Sequence, residues 1–313
     1  MKENMFIPKY SVVVPVYRSE RTLSVLRERI DAVFKKIDQN YELILVEDCG
    51  GDNSWEIMKE MHKNHPEVKC VRLSRNFGQH NALVCGFKLA RGKYIITMDD
   101  DLQNPPEEIP KLIEVIEKFD TDVVCGIPDS RKHSTWRNFG SHFFLKIISN
   151  IFGKDQRFRL SSFRIIRSDI AKHVSAFPTP NPVVGALLMK VTERFETISV
   201  KHSPRFVGKS TYTPIKLFRH FLNGILYHSD FPLKAVSVMG VSCLLLSILL
   251  SIYYLLRYLT GNIGVSGWTT IVLLILFFSG IGMFSMGLVG EYLLRIIQEV
   301  KGIPAYIIRD EEL

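Results

Sequence analysis

The sequence predicts a mainly parallel α/β domain followed by an amphipathic helix and two membrane-spanning helices. Three observations carry this. Through the first 128 residues, short continuously apolar runs alternate with amphipathic stretches, the pattern of parallel strands covered on both faces by helices. The middle of the chain is strongly basic. The last part holds two long stretches without a charged residue, 22 positions from Ala235 to Leu256 and a longer one from Tyr258 to Gly290. At ~1.5 Å per residue, the shorter run already spans roughly 33 Å as a helix, enough for a bilayer core.

The elements follow in order. Ser11–Pro15 is the first strand, and Leu23, Leu26, Ile30, Val33, Phe34 and Ile37 recur at helical spacing after it. Tyr41–Val46 and Val68–Leu73 are strands on either side of a helix at Trp55–His62. A helix at Ala82–Ala90, a strand at Tyr94–Met98, a helix at Pro106–Phe119 and an apolar run at Asp122–Gly126 complete the series. Beyond it, Trp136, Phe139, Phe143, Phe144, Ile147, Ile148 and Ile151 form one apolar helix face. Ile215, Phe218, Phe221, Leu222, Ile225 and Leu226 form another, opposite Lys216, Arg219, His220 and Asn223, which reads as an interfacial helix, with packing against the globular core as the alternative. The expected organisation is a cytosolic domain at 1–212, a juxtamembrane helix at 213–233, a transmembrane hairpin at 234–296 with spans near 235–256 and 268–290, and a tail at 297–313.

Charge sets the orientation. Lys216, Arg219 and Lys234 precede the first span, and Arg295, Lys301 and Arg309 follow the second. The link from Leu259 to Gly267 carries no charge, so the positive-inside rule places both ends in the cytosol. Met1–Lys9 lacks the apolar core of a signal peptide. The five cysteines show no CxxC spacing, which fits reduced buried thiols and argues against a zinc site. Residues 1–128 carry 18 basic and 21 acidic side chains, residues 129–234 carry 18 and 6, and the remainder 4 and 5. A basic middle third directly before a membrane anchor points to anionic or phosphorylated lipid. It does not point to nucleic acid, because no nucleic-acid-binding motif accompanies it.

Polar residues collect where the apolar strands end. The strand at Tyr94–Met98 runs into Asp99-Asp100-Asp101, three like charges at the end of a buried element. Packed carboxylates repel one another and lose hydration, so a cation is expected, and a divalent metal bridging phosphates is the simplest one. An acidic turn capping the helix after Pro106 is the alternative reading of this motif alone. The other strands run into Pro15-Val16-Tyr17-Arg18-Ser19-Glu20, Glu47-Asp48-Cys49-Gly50-Gly51-Asp52 and Arg75-Asn76-Phe77-Gly78-Gln79-His80. In parallel sheets ligands bind beyond the carboxyl ends of strands, so four polar ends on one rim favour the metal–phosphate reading. No G-x-G-x-x-G or P-loop sequence is present.

In this order the motifs resemble those of family 2 glycosyltransferases with the Rossmann-like GT-A fold. The likeness is nearest to the polyprenyl-phosphate group, which includes bactoprenol glucosyltransferases, undecaprenyl-phosphate 4-deoxy-4-formamido-arabinose transferases and dolichol-phosphate mannose synthases. It extends to Gly290-Glu291-Tyr292-Leu293 and Glu299-Val300-Lys301-Gly302-Ile303-Pro304 after the second span. The resemblance implies that Asp99 and Asp101 form a D-x-D motif holding Mg²⁺ or Mn²⁺ against a UDP-sugar, with Gln103 close to the donor. It places Pro15, Tyr17, Glu20, Asp48, Arg75, Asn76 and Asp100 around the nucleotide-sugar. Where the family often has Asn-Glu after the tyrosine, Arg18-Ser19 intervene before Glu20.

On the acceptor side it places Arg131, Arg137, Ser162, Arg164, Arg205, Lys209, Ser210 and Tyr212 near the phosphate of a polyprenyl (undecaprenyl) phosphate. Arginine forks match phosphate oxygens. Some relatives carry Asp at the Ser162 position. The implied reaction is displacement at the anomeric carbon with inversion, on the cytosolic face of a bacterial inner membrane, supplying a sugar donor for envelope glycans. The family includes tetramers, so a homo-oligomer is among the expected partners. Three alternatives remain: a GDP-mannose donor, a processive polysaccharide synthase, and a non-catalytic membrane scaffold. The synthase lacks support because no Q-x-x-R-W motif is present.

Overall fold

The structure is a computed structural model of the chain. It describes residues 8–129, 161–203, 267–302 and 304–313, with isolated positions between 236 and 260. These fall into two compact units, one built from 8–129, 161–203 and the residues from 302 onward, the other containing 267–301.

The first unit is an 8-stranded sheet in the order β7-β5-β6-β4-β1-β2-β3-β8. β1 (Tyr10–Val16), β2 (Tyr41–Glu47) and β3 (Val68–Leu73) are parallel neighbours, and β4 (Tyr94–Thr97) lies parallel to β1 on its other side. β1, β2 and β4 are buried along their whole length, which is why they read as unbroken apolar runs rather than alternating ones. One face carries the core of Val12, Val14, Leu43, Leu45 and Ile96 under α1 (Leu23–Lys36), α2 (Ser54–Asn64) and α4 (Ile109–Lys118). The other carries Val13, Ile44, Val46 and Ile95 under α3 (Gln79–Leu89), α5 (Ser168–Ala176) and α6 (Val184–Val191). Gly86 lets α3 lie directly on β1, since a Cβ there would meet Val13 Cγ1 at 2.3 Å.

The sheet is more mixed than the sequence predicts. β5 (Val123–Pro128) and β7 (Phe195–Val200) keep the common direction, but β6 (Arg164–Arg167) inserts antiparallel between β4 and β5. β8 (Ile308–Glu312) pairs antiparallel with the edge of β3. The expected helix from Pro106 begins as a 3₁₀ turn at Pro106–Glu108.

In the second unit, α7 (Trp268–Val300) is one helix of 33 residues, extending past the expected end at 290. Nothing breaks it before Gly302, and Glu291, Arg295 and Glu299 sit in its polar C-terminal third. Its window Phe277–Leu294 has mean hydropathy 1.3 with no residue buried, and it is the one helix among the described residues long and apolar enough to cross a membrane. The juxtamembrane helix at 213–233 lies outside the described residues, as does most of the expected first span.

Candidate active site

The strand order reverses between β1 and β4, so a crevice opens beyond their carboxyl ends. Pro15 marks where it opens. Val13 accepts the last rung from Met98 N at 3.3 Å, and Pro15, two residues on, faces the same side after β4 has ended. A proline is tolerated in this central strand because no N–H is needed there.

Three loops around the crevice contain a non-glycine residue in the left-handed region: Arg18 after β1 (φ 58°), Cys49 after β2 (φ 53°) and Leu102 after β4 (φ 60°). Such conformations are strained and concentrate at functional sites. Asp100 ties the first of these loops across the crevice. Its carboxylate accepts from Tyr17 N at 2.9 Å and from Ser19 Oγ. Burial pushes its carboxyl up to about 6, with Asp99 and Asp101 adding repulsion against those two hydrogen bonds. Ser19 N donates to Ser54 Oγ at 3.0 Å, and Glu20 and Asn53 are joined through Asn53 N at 3.3 Å, so the β1 and β2 loops form one rim. Tyr17 is 45% exposed at this rim. Arg18 lies over its ring at 5.2 Å and donates from Nε to Gly50 O at 3.0 Å.

Asp99 sits deeper. Its Oδ1 accepts from Gln79 Nε2 at 2.6 Å and its Oδ2 from Ser162 Oγ at 2.5 Å. Burial raises its carboxyl, the Ser162 bond opposes this, and Asp101 raises it further. Asp101 Oδ1 accepts from Gln103 N at 3.1 Å. Gln103 O in turn accepts from Ser203 N at 2.9 Å, which docks the carboxylate loop onto the segment leading to Arg205.

Asp48 is buried, and both its oxygens accept backbone N–H groups, Phe77 at 2.6 Å and Gly78 at 2.8 Å. A carboxylate has lone pairs left after two such bonds. Burial raises its pKa, and these two amides oppose the shift. Gly78 takes φ 93°, open to glycine and to few other residues, to aim those amides. Arg75 and Asn76 are exposed next to it, Arg75 over the Phe77 ring at 4.7 Å.

The structure therefore brings together Pro15, Tyr17, Glu20, Asp48, Arg75, Asn76, Asp99, Asp100, Asp101, Gln103 and Ser162. Arg164 differs from the expected acceptor-facing arginine, being only 3% exposed and packed at the start of β6. Arg131, Arg137, Arg205, Lys209, Ser210 and Tyr212 lie outside the described residues. Gln79, Ser19 and Ser54 join the expected site residues; Gln79, at the first position of α3, and Ser19 stand inside strand-end motifs, whereas Ser54 stands in none.

Among the described residues, no three His, Cys, Asp or Glu side chains converge as a closed metal cage. Mg²⁺ is commonly held by one or two carboxylates together with substrate phosphates, and Asp99 and Asp101 are the pair that could serve in that way. Their mutual repulsion in a partly desolvated site is the physical demand that a cation would meet.

Residues 11–175 match the family described as Glycosyl transferase family 2. An undecaprenyl-phosphate 4-deoxy-4-formamido-L-arabinose transferase of Yersinia enterocolitica is 35% identical across 99% of this chain and 95% of its own length. An uncharacterized glycosyltransferase of Synechocystis is 31% identical across 96% of the chain and 94% of its own length. Among solved structures, glucosyl-3-phosphoglycerate synthase from Mycobacterium tuberculosis, in complex with Mn²⁺ and UDP-glucose, matches with a TM-score of 0.51 and 13% identity, covering 71% of this chain and 79% of that one. That last likeness concerns the fold. The chain belongs to glycosyltransferase family 2 and is a glycosyltransferase.

Proposed function

We propose that this enzyme transfers a sugar from a UDP-sugar to a polyprenyl phosphate, with inversion, at the cytosolic face of a bacterial inner membrane. The observation that carries the reading is the Asp99–Asp101 cluster, pinned across the β1–β4 crevice to the rim bearing Tyr17 and Asp48. The acceptor class is supported by the Yersinia relative, whose name specifies undecaprenyl phosphate and whose likeness runs through the membrane segment.

Asp99 and Asp101 would hold Mg²⁺ or Mn²⁺, which when bound neutralises charge on the departing nucleoside diphosphate. The chain's own residues do the rest. Asp100 locks Tyr17 and Ser19 so that the nucleotide rim is formed before substrate arrives. Gln79 and Ser162 fix both oxygens of Asp99. The acceptor phosphate, with a second pKa near ~6, is already largely ionised at neutral pH. It needs positioning and charge balance, and the basic residues between 129 and 234 supply both. No protein base is required, consistent with serine rather than a carboxylate at position 162.

Two membrane crossings are supported by the last strand. β8 shares a sheet with β3, so the chain returns after α7 to the side of the catalytic unit. One crossing by α7 then demands a second crossing between 203 and 268, where the apolar run at 235–256 stands.

The test is turnover by full-length protein in detergent, with polyprenyl phosphate and a panel of UDP- and GDP-sugars, with Mg²⁺, Mn²⁺ or chelator. A UDP-sugar is expected to be consumed, with activity lost on chelation and in Asp101→Ala. Near-normal turnover by folded Asp101→Ala would sink the metal assignment, and a preference for GDP-mannose would sink the donor assignment.

A further inference from the structure

Arg164 is the buried charge that the proposed reaction leaves without a task. It opens β6, paired in register with Thr97 of β4 and Cys125 of β5. It is 3% exposed, and its Nε and Nη1 have no hydrogen-bond partner. An ion taken out of water and left without hydrogen bonds is strongly unfavourable unless an opposite charge stands near it. The charge acting on it from the site is Asp99, two residues beyond its register partner Thr97.

The hydrogen bonds to Asp99 and Asp100 come from neutral groups: Asp99 receives Gln79 and Ser162, and Asp100 receives Tyr17 N and Ser19. Neutral donors orient these two carboxylates but leave their negative charge in place. Arg164 stands behind Asp99, within the α3 face of the sheet, where it can offset that charge without occupying a ligand position.

We propose that Arg164 is a resident counter-charge for the Asp99–Asp101 cluster: a positioning residue that keeps the carboxylates assembled in the empty enzyme and holds down their affinity for a free divalent cation. The proposal rests on the metal reading of Asp99 and Asp101. A fixed positive charge repels an incoming dication as surely as it attracts the carboxylates. The consequence is a cation that binds well only with the nucleotide diphosphate and leaves with it, instead of remaining trapped against the carboxylates.

The experiment is Mn²⁺ binding to full-length protein in detergent without nucleotide, followed by the loss of the free-ion electron paramagnetic resonance signal. Arg164→Met and Arg164→Gln are expected to bind Mn²⁺ about tenfold more tightly than the parent. Arg164→Lys, which keeps the charge, is expected to bind as the parent does. Arg167→Gln, on the same strand but with its side chain 42% exposed, is the control and is expected to change nothing. Circular dichroism identifies the folded variants. Unchanged or weaker binding in a folded Arg164→Met or Arg164→Gln overturns the proposal, and so does tightening in Arg164→Lys. Failure of the underlying metal reading looks different: the parent then binds no Mn²⁺, or Asp101→Ala binds it equally well.

Discussion

Replacing Lys69 with methionine should destabilise the catalytic unit heavily while leaving its chemistry alone. Lys69 Nζ lies 2.6 Å from Glu42 Oε2, with the two side chains 9% and 3% exposed. Glu42 Oε1 also accepts Ser11 Oγ at 2.6 Å and Arg91 N at 2.7 Å, so the carboxylate joins β1, β2, β3 and the turn before β4. Removing the lysine leaves the buried carboxylate with only the exposed Arg91 guanidinium, 3.6 Å from Oε2, as counter-charge, and breaking a buried pair in this way costs about 3 kcal/mol. For a unit of this size that is a fall in Tm of roughly 10 °C. The pH dependence should change as well. Burial alone would raise the Glu42 carboxyl, but Lys69, Ser11 and the Arg91 amide outweigh it and hold it below the ordinary range. A depressed carboxyl contributes stability above its unfolded pKa of ~4.3, and that stability is lost as pH falls through the folded value. In Lys69→Met the largest of the lowering influences is gone, so the folded pKa moves up and the stability lost on acidification through that window shrinks. Thermal unfolding followed between pH 4 and 8 reads both effects. Glu42→Gln combined with Lys69→Met should recover part of the loss, because no buried charge remains. The reasoning fails if Lys69→Met unfolds with the parent, or if the double variant is no more stable than the single. The donor KM should not move, since this network lies at the amino ends of the strands, away from the crevice.

Three further outcomes follow from the geometry. Gln79→Ala frees one oxygen of Asp99 and should lower kcat/KM roughly 10–100-fold with a near-parental unfolding curve, because partners that orient metal ligands act at about that level. Gly78→Ala forces a side chain into φ 93° and should cost about 1–3 kcal/mol, with a raised KM for the nucleotide-sugar because the amides on Asp48 move. Ending the chain after Pro304 removes β8 and the Tyr306 contact with Cys85, exposing the edge of β3. The truncated protein should unfold at lower temperature and aggregate, as light scattering would show; parental behaviour in both would mean that β8 does not brace the sheet.

Burial explains which elements were legible. β1, β2 and β4 are covered on both faces, so their sequences are apolar runs that no other context tolerates in series. The missed strands are those whose pairing is decided elsewhere. β6 is Arg164-Ile165-Ile166-Arg167, two apolar residues between arginines, and it becomes a strand because β4 and β5 hold it on both sides. β8 is Ile308-Arg309-Asp310-Glu311-Glu312, which reads as a solvated acidic tail until the open edge of β3 is available to it. The site divides in the same way. Asp99, Asp100 and Asp101 are adjacent in sequence, and their shared charge reveals them. Their partners are not: Ser19 reaches Asp100 from 81 positions away and Ser162 reaches Asp99 from 63. The sequence motifs contain Ser19 and point to Ser162 on the acceptor side, but neither serine's bond to the carboxylates is legible before the chain has folded.

Glu42, near the amino end of β2, and the carboxylates that follow β4 are held in opposite ways, and this contrast separates stability from function. At the amino ends, Glu42 has a lysine, a serine and a backbone amide within hydrogen-bond distance, and its carboxyl is held low. Nothing further is asked of it. At the carboxyl ends, Asp99 and Asp100 receive neutral donors, repel one another and Asp101, and are held high. The left-handed backbone at Arg18, Cys49 and Leu102 is confined to this same end, apart from the turn at Asp38. Arg164, buried at the start of β6 and paired in register with Thr97, is the charge that the proposal above sets against Asp99. Under the proposed function, the negative charge left on Asp99 and Asp100 is what a metal–diphosphate complex would offset, so the same imbalance that weakens the empty fold would direct binding of the donor.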